Sequence, residues 1–236
     1  MNPARIPLVL AIIASLLLLL AGPGTRLDLW EFRTGFQLLR WAAYIGLAAS
    51  ALALVMLLLP RIRRRGLASL VVALVLGVGV AFVPWSGMQQ ARSVPPIHDI
   101  STDTKRPPEF VAVLPLRADA SNPSEYGGPE VAAEQIGAYP DVQTHRIDAS
   151  PAQAFERAQQ AARGLGWEIV SADPAAGRIE ATDTTFWFGF KDDVVIRIEP
   201  DGAGSRVDVR SLSRVGGSDV GANAARIRAF LQALGA

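Results

Sequence analysis

The sequence predicts a membrane-plus-α+β protein: three transmembrane helices followed by an antiparallel sheet packed against two helices. Three observations carry this prediction. Uncharged apolar runs occupy residues 6–21, 41–59 and 67–85, and at 1.5 Å per helical residue the two longer ones span a bilayer core while the first just reaches across. Charge divides along the same line, with a net +6 over residues 1–89 and −5 over the other 147. After Asp148, a helical period gives way to four runs with strand alternation and then to a second helical period.

The first run, Ile6 to Ala21, contains five consecutive leucines, Leu16 to Leu20. Arg5 followed by an apolar centre also fits a cleavable signal peptide, but Ala21-Gly22-Pro23-Gly24 offers no good small-x-small cleavage site, which favours a retained helix. The second run, Trp41 to Leu59, stops at Pro60, and the third covers Leu67 to Trp85. Between them Arg61, Arg63, Arg64 and Arg65 crowd into five residues, and the positive-inside rule assigns that connection to the cytoplasm. The N-terminus is then cytoplasmic and the C-terminal part periplasmic. Arg26, Arg33 and Arg40 on the other connection oppose this assignment, but Asp28 and Glu31 dilute them. Trp30, Trp41, Tyr44 and Trp85 fall near the predicted outer ends, where amphipathic rings favour the headgroup layer. Residues 27–36 read as a short interfacial amphipathic helix.

Residues 94–142 form a Pro-rich segment, yet Ile97-His98-Asp99-Ile100 and Glu109 to Leu114 are too apolar for a solvated tether, so an ordered wrapping segment is expected. Eight prolines between residues 86 and 142 exclude most regular helix or central strand there. A strand is expected at Val142–Ile147. Ser150-Pro151 then marks a helix start, an N-cap residue followed by proline at the first helical position, and Ala154, Phe155, Ala158, Ala161 and Ala162 recur at helical spacing. Residues 167–172, 178–185, 193–199 and 205–213 read as strands with one buried face, and Val220, Ala224, Ile227, Leu231 and Leu234 as the apolar stripe of a closing helix. This is a helix-grip-like arrangement, whose interior is expected to be filled by Trp167, Phe186, Trp187, Phe188 and Phe190 rather than left open to a ligand.

The composition removes several functions. There is no cysteine, hence no disulfide framework, thiol nucleophile or Cys-bound zinc. The acidic domain lacks the concentrated basic face that nucleic acid requires. No cofactor and no metal site is predicted, and no GxSxG, HExxH or P-loop pattern occurs. His98, Asp99 and Asp103 supply an imidazole and two carboxylates, enough for acid–base chemistry, although prolines and Ser/Thr around them also read as capped turns. Arg214, Ser218, Asp219, Asn223 and Arg226 surround a glycine turn before the last helix, where backbone N–H groups can bind an anion or be satisfied by the Asp219 carboxylate itself. Asp193, at the start of the third strand, is placed to pair with Arg197, Arg214 or Arg226.

Three separated motifs occur in order: Pro95 to Asp103, Gly189-Phe190-Lys191-Asp192-Asp193-Val194 through Arg197, and Ser213-Arg214 through Ser218-Asp219, Gly221, Asn223 and Arg226. Together they resemble the uncharacterised bacterial family called domain of unknown function 1499, over residues 94–236. The resemblance implies that the Pro-rich segment belongs to the domain; it implies no activity. The reading is therefore a non-catalytic inner-membrane protein of the bacterial envelope. Its partners are the lipid bilayer and a protein, lipid or anionic envelope component bound by the periplasmic domain. The alternative is a membrane-bound hydrolase using His98, Asp99 and Asp103.

Overall fold

In the computed structural model, which describes residues 2–235, the apolar runs fold as helices α1 (Arg5–Arg26), α2 (Phe32–Leu57) and α3 (Pro60–Ser93). Each is longer than its apolar run. Residues 27–31 form a turn and α2 begins at Phe32, so the expected interfacial helix over residues 27–36 does not exist as a separate element. α3 is kinked at Gly66, directly after the arginine run.

What identifies the solvent of these helices is which side chains they bury. α1 buries Pro7, Ala11, Ala14, Ala21, Gly22 and Gly24, and α2 buries Gly35, Ala42, Gly46, Ala49, Ser50 and Ala53. The large apolar residues point outward, among them Leu16, Leu19, Leu47, Leu54, Val75 and Phe82. A water-soluble bundle does the reverse; small residues inside and large ones outside is the pattern of helices packed in lipid. α2 and α3 meet so closely that a Cβ on Gly77 would lie 2.4 Å from the Gly46 carbonyl oxygen. Ser50 seals the crossing by donating to the Gly46 and Leu74 carbonyls at 2.9 and 3.3 Å. The chain therefore associates with a membrane through α1–α3.

The second unit comprises residues from 91 onward except 186–189, which group with the helices. Its strands are β1 (Asp99–Ser101), β2 (His145–Ile147), β3 (Glu168–Asp173), β4 (Arg178–Thr184), β5 (Lys191–Asp201) and β6 (Gly204–Ser213). β3 to β6 form an antiparallel meander, and β1 and β2 lie end to end along the free edge of β6. β1 arises inside the Pro-rich segment, where no central strand was expected; its three residues fall between Pro96 and Pro107 and pair only through the β6 edge, which prolines outside the ladder do not disturb. Helix α4 (Gly128–Ala138) also lies in that segment. Pro129 sits in its first turn, where a missing N–H costs nothing.

Helix α5 (Pro151–Gly164) opens with the expected cap: the Ser150 hydroxyl accepts from the Gln153 N–H and the Gln153 side chain returns to the Ser150 N–H, a complete capping box. Helix α6 (Ala222–Gly235) closes the chain. α5 and α6 cover one face of the sheet, burying Phe155, Trp167, Ile179, Val194, Ile196, Val209, Ile227 and Phe230 in one core. Trp167 stacks on Phe230 with ring centroids 5.4 Å apart. That interior is filled, but not by the expected aromatics. Trp167 belongs to it, whereas Phe186 is 92% exposed and residues 186–189, in the β4–β5 connection, group with the helical unit.

Both faces of the sheet are buried, not one. The second face carries Glu180, Thr182, Asp193, Val195, Asp208, Arg210 and Leu212, all shielded from solvent. Its cover is the stretch from Thr102 to Tyr126, which sets Phe110 and Val113 against Val195 and Leu212. Polar–apolar alternation normally reports a solvated face, and here it reports a face buried beneath a polar strap.

Candidate functional site

The strap-covered face of the sheet gathers Asp99, Asp103, Asp193, Arg197 and Arg214 of the residues that the sequence singles out, and it does so as arginine–carboxylate pairs. Asp192 and Asp193 are consecutive in β5, so their side chains leave opposite faces. On the strap side, Asp193 receives Arg117 at 2.6 Å, Arg214 at 2.8 and 2.9 Å, and the Thr182 hydroxyl at 2.7 Å. On the helix side, Asp192 receives Arg226 at 2.6 Å. Arg226 also reaches Asp183 at 2.7 Å and the Asn223 side-chain carbonyl at 2.6 Å. Asn223 in turn accepts from Ser211 and donates to the His98 carbonyl.

Arg197 belongs to another cluster. It and Arg206 both donate to Asp103 and to Asp208, at 2.8–3.0 Å. Asp208 also accepts the Thr144 hydroxyl at 2.5 Å. Burial pushes the Asp208 carboxyl up, but hydrogen bonds from Arg197, Thr144 and Arg206 outweigh it and hold the group below the usual carboxylate value.

Asp99 takes a bidentate pair from Arg210, at 2.9 and 2.8 Å. Burial pushes its carboxyl up despite that partner. Arg210 stacks its guanidinium over Phe110 at 4.9 Å and over Tyr126 at 5.5 Å, and burial, reinforced by the Asp99 charge, lifts the Tyr126 phenol to about 12. His98 approaches the Gly217 carbonyl through Nδ1 at 3.5 Å.

His98, Asp99 and Asp103 therefore do not assemble into one constellation. Asp99 is engaged by Arg210 and Asp103 by Arg197 and Arg206, on separate clusters, while the His98 imidazole approaches the Gly217 carbonyl. The glycine turn behaves likewise. Asp219 accepts from the backbone N–H groups of Gly221 at 2.7 Å and Asn223 at 2.9 Å, and Ser218 accepts from Val220 at 3.2 Å. The carboxylate of Asp219 thus occupies the position an anion would take at the start of α6. Burial outweighs these N–H groups and raises its pKa.

Two fully buried acids, Asp208 and Glu180, carry no signal in the sequence that singles them out. Glu180, fully buried in β4, accepts the N–H groups of Val111, Ala112 and Val113 at 3.0–3.1 Å. Three successive N–H groups closing on a carboxylate form an anion nest whose anion is supplied by the sheet. Arg178 stands beside it, Nε 3.1 Å from Oε1. A glutamate inside a strand of alternating polarity carries no local signal of this; only the polar residues along the strap face, taken together, do.

Not every arginine is enclosed. A cleft of about 270 Å³ opens between residues 106–111 and strands β4 and β5, and Arg106, Arg178 and Arg197 all line it. Its apolar walls include Pro107, Pro108, Val111 and Val195, and Glu109 is the one acid among its described lining residues.

An antiparallel sheet with helices on one face and an ion-paired strap on the other, carried by three membrane helices, defines a class: a membrane-anchored α+β domain. A match to the family model described as "Protein of unknown function (DUF1499)" covers residues 99–234, and the chain belongs to that family. The match begins at β1, so the Pro-rich strap lies inside it. A comparison with curated proteins returns no match.

Proposed function

We propose that this is a non-catalytic protein of the bacterial inner membrane, its N-terminus cytoplasmic, whose periplasmic domain binds an anionic envelope component in the cleft lined by Arg106, Arg178 and Arg197. The cleft is the observation that carries the proposal. Elsewhere on the strap side, Arg117 and Arg210 are fully enclosed with their carboxylates. In the cleft three arginine residues border open space between proline walls, a combination that suits an anionic head joined to an apolar body. Their resident partners, Glu199 for Arg106 and Glu180 for Arg178, lie on the strands and leave donors of each planar fork over.

The Arg61–Arg65 run supports the orientation, because a short connection with four arginines stays cytoplasmic. Three crossings from a cytoplasmic N-terminus then leave the end of α3 in the periplasm. Asp193, Arg214, Ser218, Asp219, Asn223 and Arg226 enter the proposal as the internal pairs that fix the sheet, strap and last helix, and Arg197 as a residue that both fixes the strap and borders the ligand.

The test is a calorimetric titration of the full chain in neutral detergent with dodecyl phosphate, and with dodecyl maltoside as the uncharged control. Binding of the phosphate alone, weakened at least tenfold by Arg106→Glu, is the expected result. Equal binding by wild type and variant, or none, refutes the cleft as the site. Binding of inorganic phosphate with the same affinity would assign the site to the anion without its tail.

A further inference from the structure

The helical unit includes four residues that arrive from far along the chain, the β4–β5 turn Phe186-Trp187-Phe188-Gly189. We propose that this turn is a second membrane contact, which seats Phe186 in the headgroup layer at the end of α1.

The turn is held at its base and on one side. The Thr185 N–H donates to the Phe190 carbonyl at 2.8 Å, and the Phe190 N–H to the Thr185 hydroxyl at 2.9 Å. Trp187 lies so close over α1 that a Cβ on Gly22 would fall 2.3 Å from its indole ring. Phe188 is buried, its ring 5.2 Å from that of Phe36 in α2. Arg26, in the last turn of α1, donates to the Phe186 carbonyl at 2.7 Å.

These contacts use Trp187 and Phe188 as packing and leave Phe186 facing outward, 92% exposed, more than any other large apolar side chain described. A single exposed apolar residue on a soluble surface is ordinary. This one differs in position, since the turn that presents it is fastened to the final turn of a helix that crosses the bilayer. The same helix end carries another aromatic, Trp30, whose indole N–H donates to the Ala21 carbonyl at 3.3 Å. Aromatic rings concentrate at that depth because they offer an apolar body and tolerate the polar layer. Residues 185–190 carry no charge, and Lys191 follows directly, so the turn itself brings no acidic side chain to the headgroup layer and is followed by a cation. Lipid headgroups, not water and not a second copy, are the occupant that fits an apolar tip at this level. The inference stands apart from the anion cleft and survives its failure.

The chain has no cysteine, so one introduced thiol reports one position. Full-length Phe186→Cys and Ala203→Cys, the latter on the exposed β5–β6 turn, are labelled with a nitrobenzoxadiazole dye and reconstituted into phosphatidylethanolamine/phosphatidylglycerol vesicles. Emission from residue 186 is expected to be blue-shifted relative to residue 203, protected from aqueous iodide, and quenched more by spin-labelled headgroups than by spin labels at acyl-chain ends. Iodide access equal to that at residue 203, with no lipid quenching, overturns the proposal. Protection accompanied by cross-linking between copies and no lipid quenching also overturns it, in favour of a protein contact. Because Phe186 makes so little contact with the fold, an unchanged melting transition of the variant is the expected control.

Discussion

Arg117 and Asp193, 76 positions apart in the chain, meet at 2.6 Å. The contact joins the strap to the sheet at a point where neither side chain is accessible to water. Taking two charges out of water is expensive, and the pair is tolerable because Arg214 and Thr182 satisfy the remaining lone pairs of the carboxylate. Replacing Asp193 with alanine leaves Arg117 and Arg214 without their shared anion. The variant is expected to lose about 3–5 kcal/mol of domain stability, against about 1 kcal/mol for Thr182→Val. Denaturant unfolding of the two variants measures both; equal losses would contradict the central place given to the carboxylate.

Glu180 holds the strap by its backbone rather than by its side chains. Glu180→Gln retains the shape but sets an amide N–H₂ against incoming N–H donors. A loss of about 1.5–3 kcal/mol is expected, the range for hydrogen bonds to a charged group. Hydrogen exchange locates it: the amides of Val111, Ala112 and Val113 should exchange faster while those of β5 keep their order of protection. Uniform acceleration across the sheet would contradict a local role.

The acid response of the domain follows from Asp208. Its folded pKa lies below the ordinary 3.8, so its contribution to stability is present above that value and disappears as pH falls through the folded pKa. Asp99 and Asp219, both raised, act with the opposite sign and favour the folded state when protonated. Asp208→Asn should therefore be less stable than wild type at neutral pH and show a shallower loss on acidification. Thermal melts taken from neutral pH to below 3.8 check this, and parallel curves would be inconsistent with the pairing.

In the membrane unit, Gly77 and Gly79 provide a matched comparison. A methyl group on Gly77 would meet the Ser50 hydroxyl at 2.3 Å, whereas one on Gly79 meets nothing within 4 Å. Gly77→Ala is expected to lower the melting temperature in detergent and Gly79→Ala to leave it unchanged.

Much of this architecture was legible in the sequence. Uncharged runs revealed the three helices, Ser150-Pro151 revealed the start of α5, and the alternation of Val194, Ile196 and Ile198 revealed the helix-facing side of β5. The strap was only half legible. Its apolar residues argued against a tether, but Pro129 concealed α4, since the same residue that breaks a helix interior is welcome in a first turn. Alternation in β5 and β6 could not distinguish a polar face bathed in water from one covered by complementary charges, because Asp193, Asp208 and Arg210 have the same composition in either setting. Site residues fared similarly. Asp193 and Arg214 do pair, as do Asn223 and Arg226, whereas Asp99 and Asp103 go to different arginines that the sequence places far away. The Arg106–Arg178–Arg197 cleft was beyond reach, since only the fold of the strap brings residue 106 to strands β4 and β5.

Native mass spectrometry of the full chain, released from membranes of wild-type and Arg106→Glu cells, tests the anion cleft most directly. Wild type is expected to carry a bound anionic component of defined mass that survives mild activation, and the variant, folded and inserted equally well, to lose it. Bare protein in both samples, or the same adduct at the same occupancy in both, would contradict the assignment of this domain as a binder of anionic envelope components through that cleft.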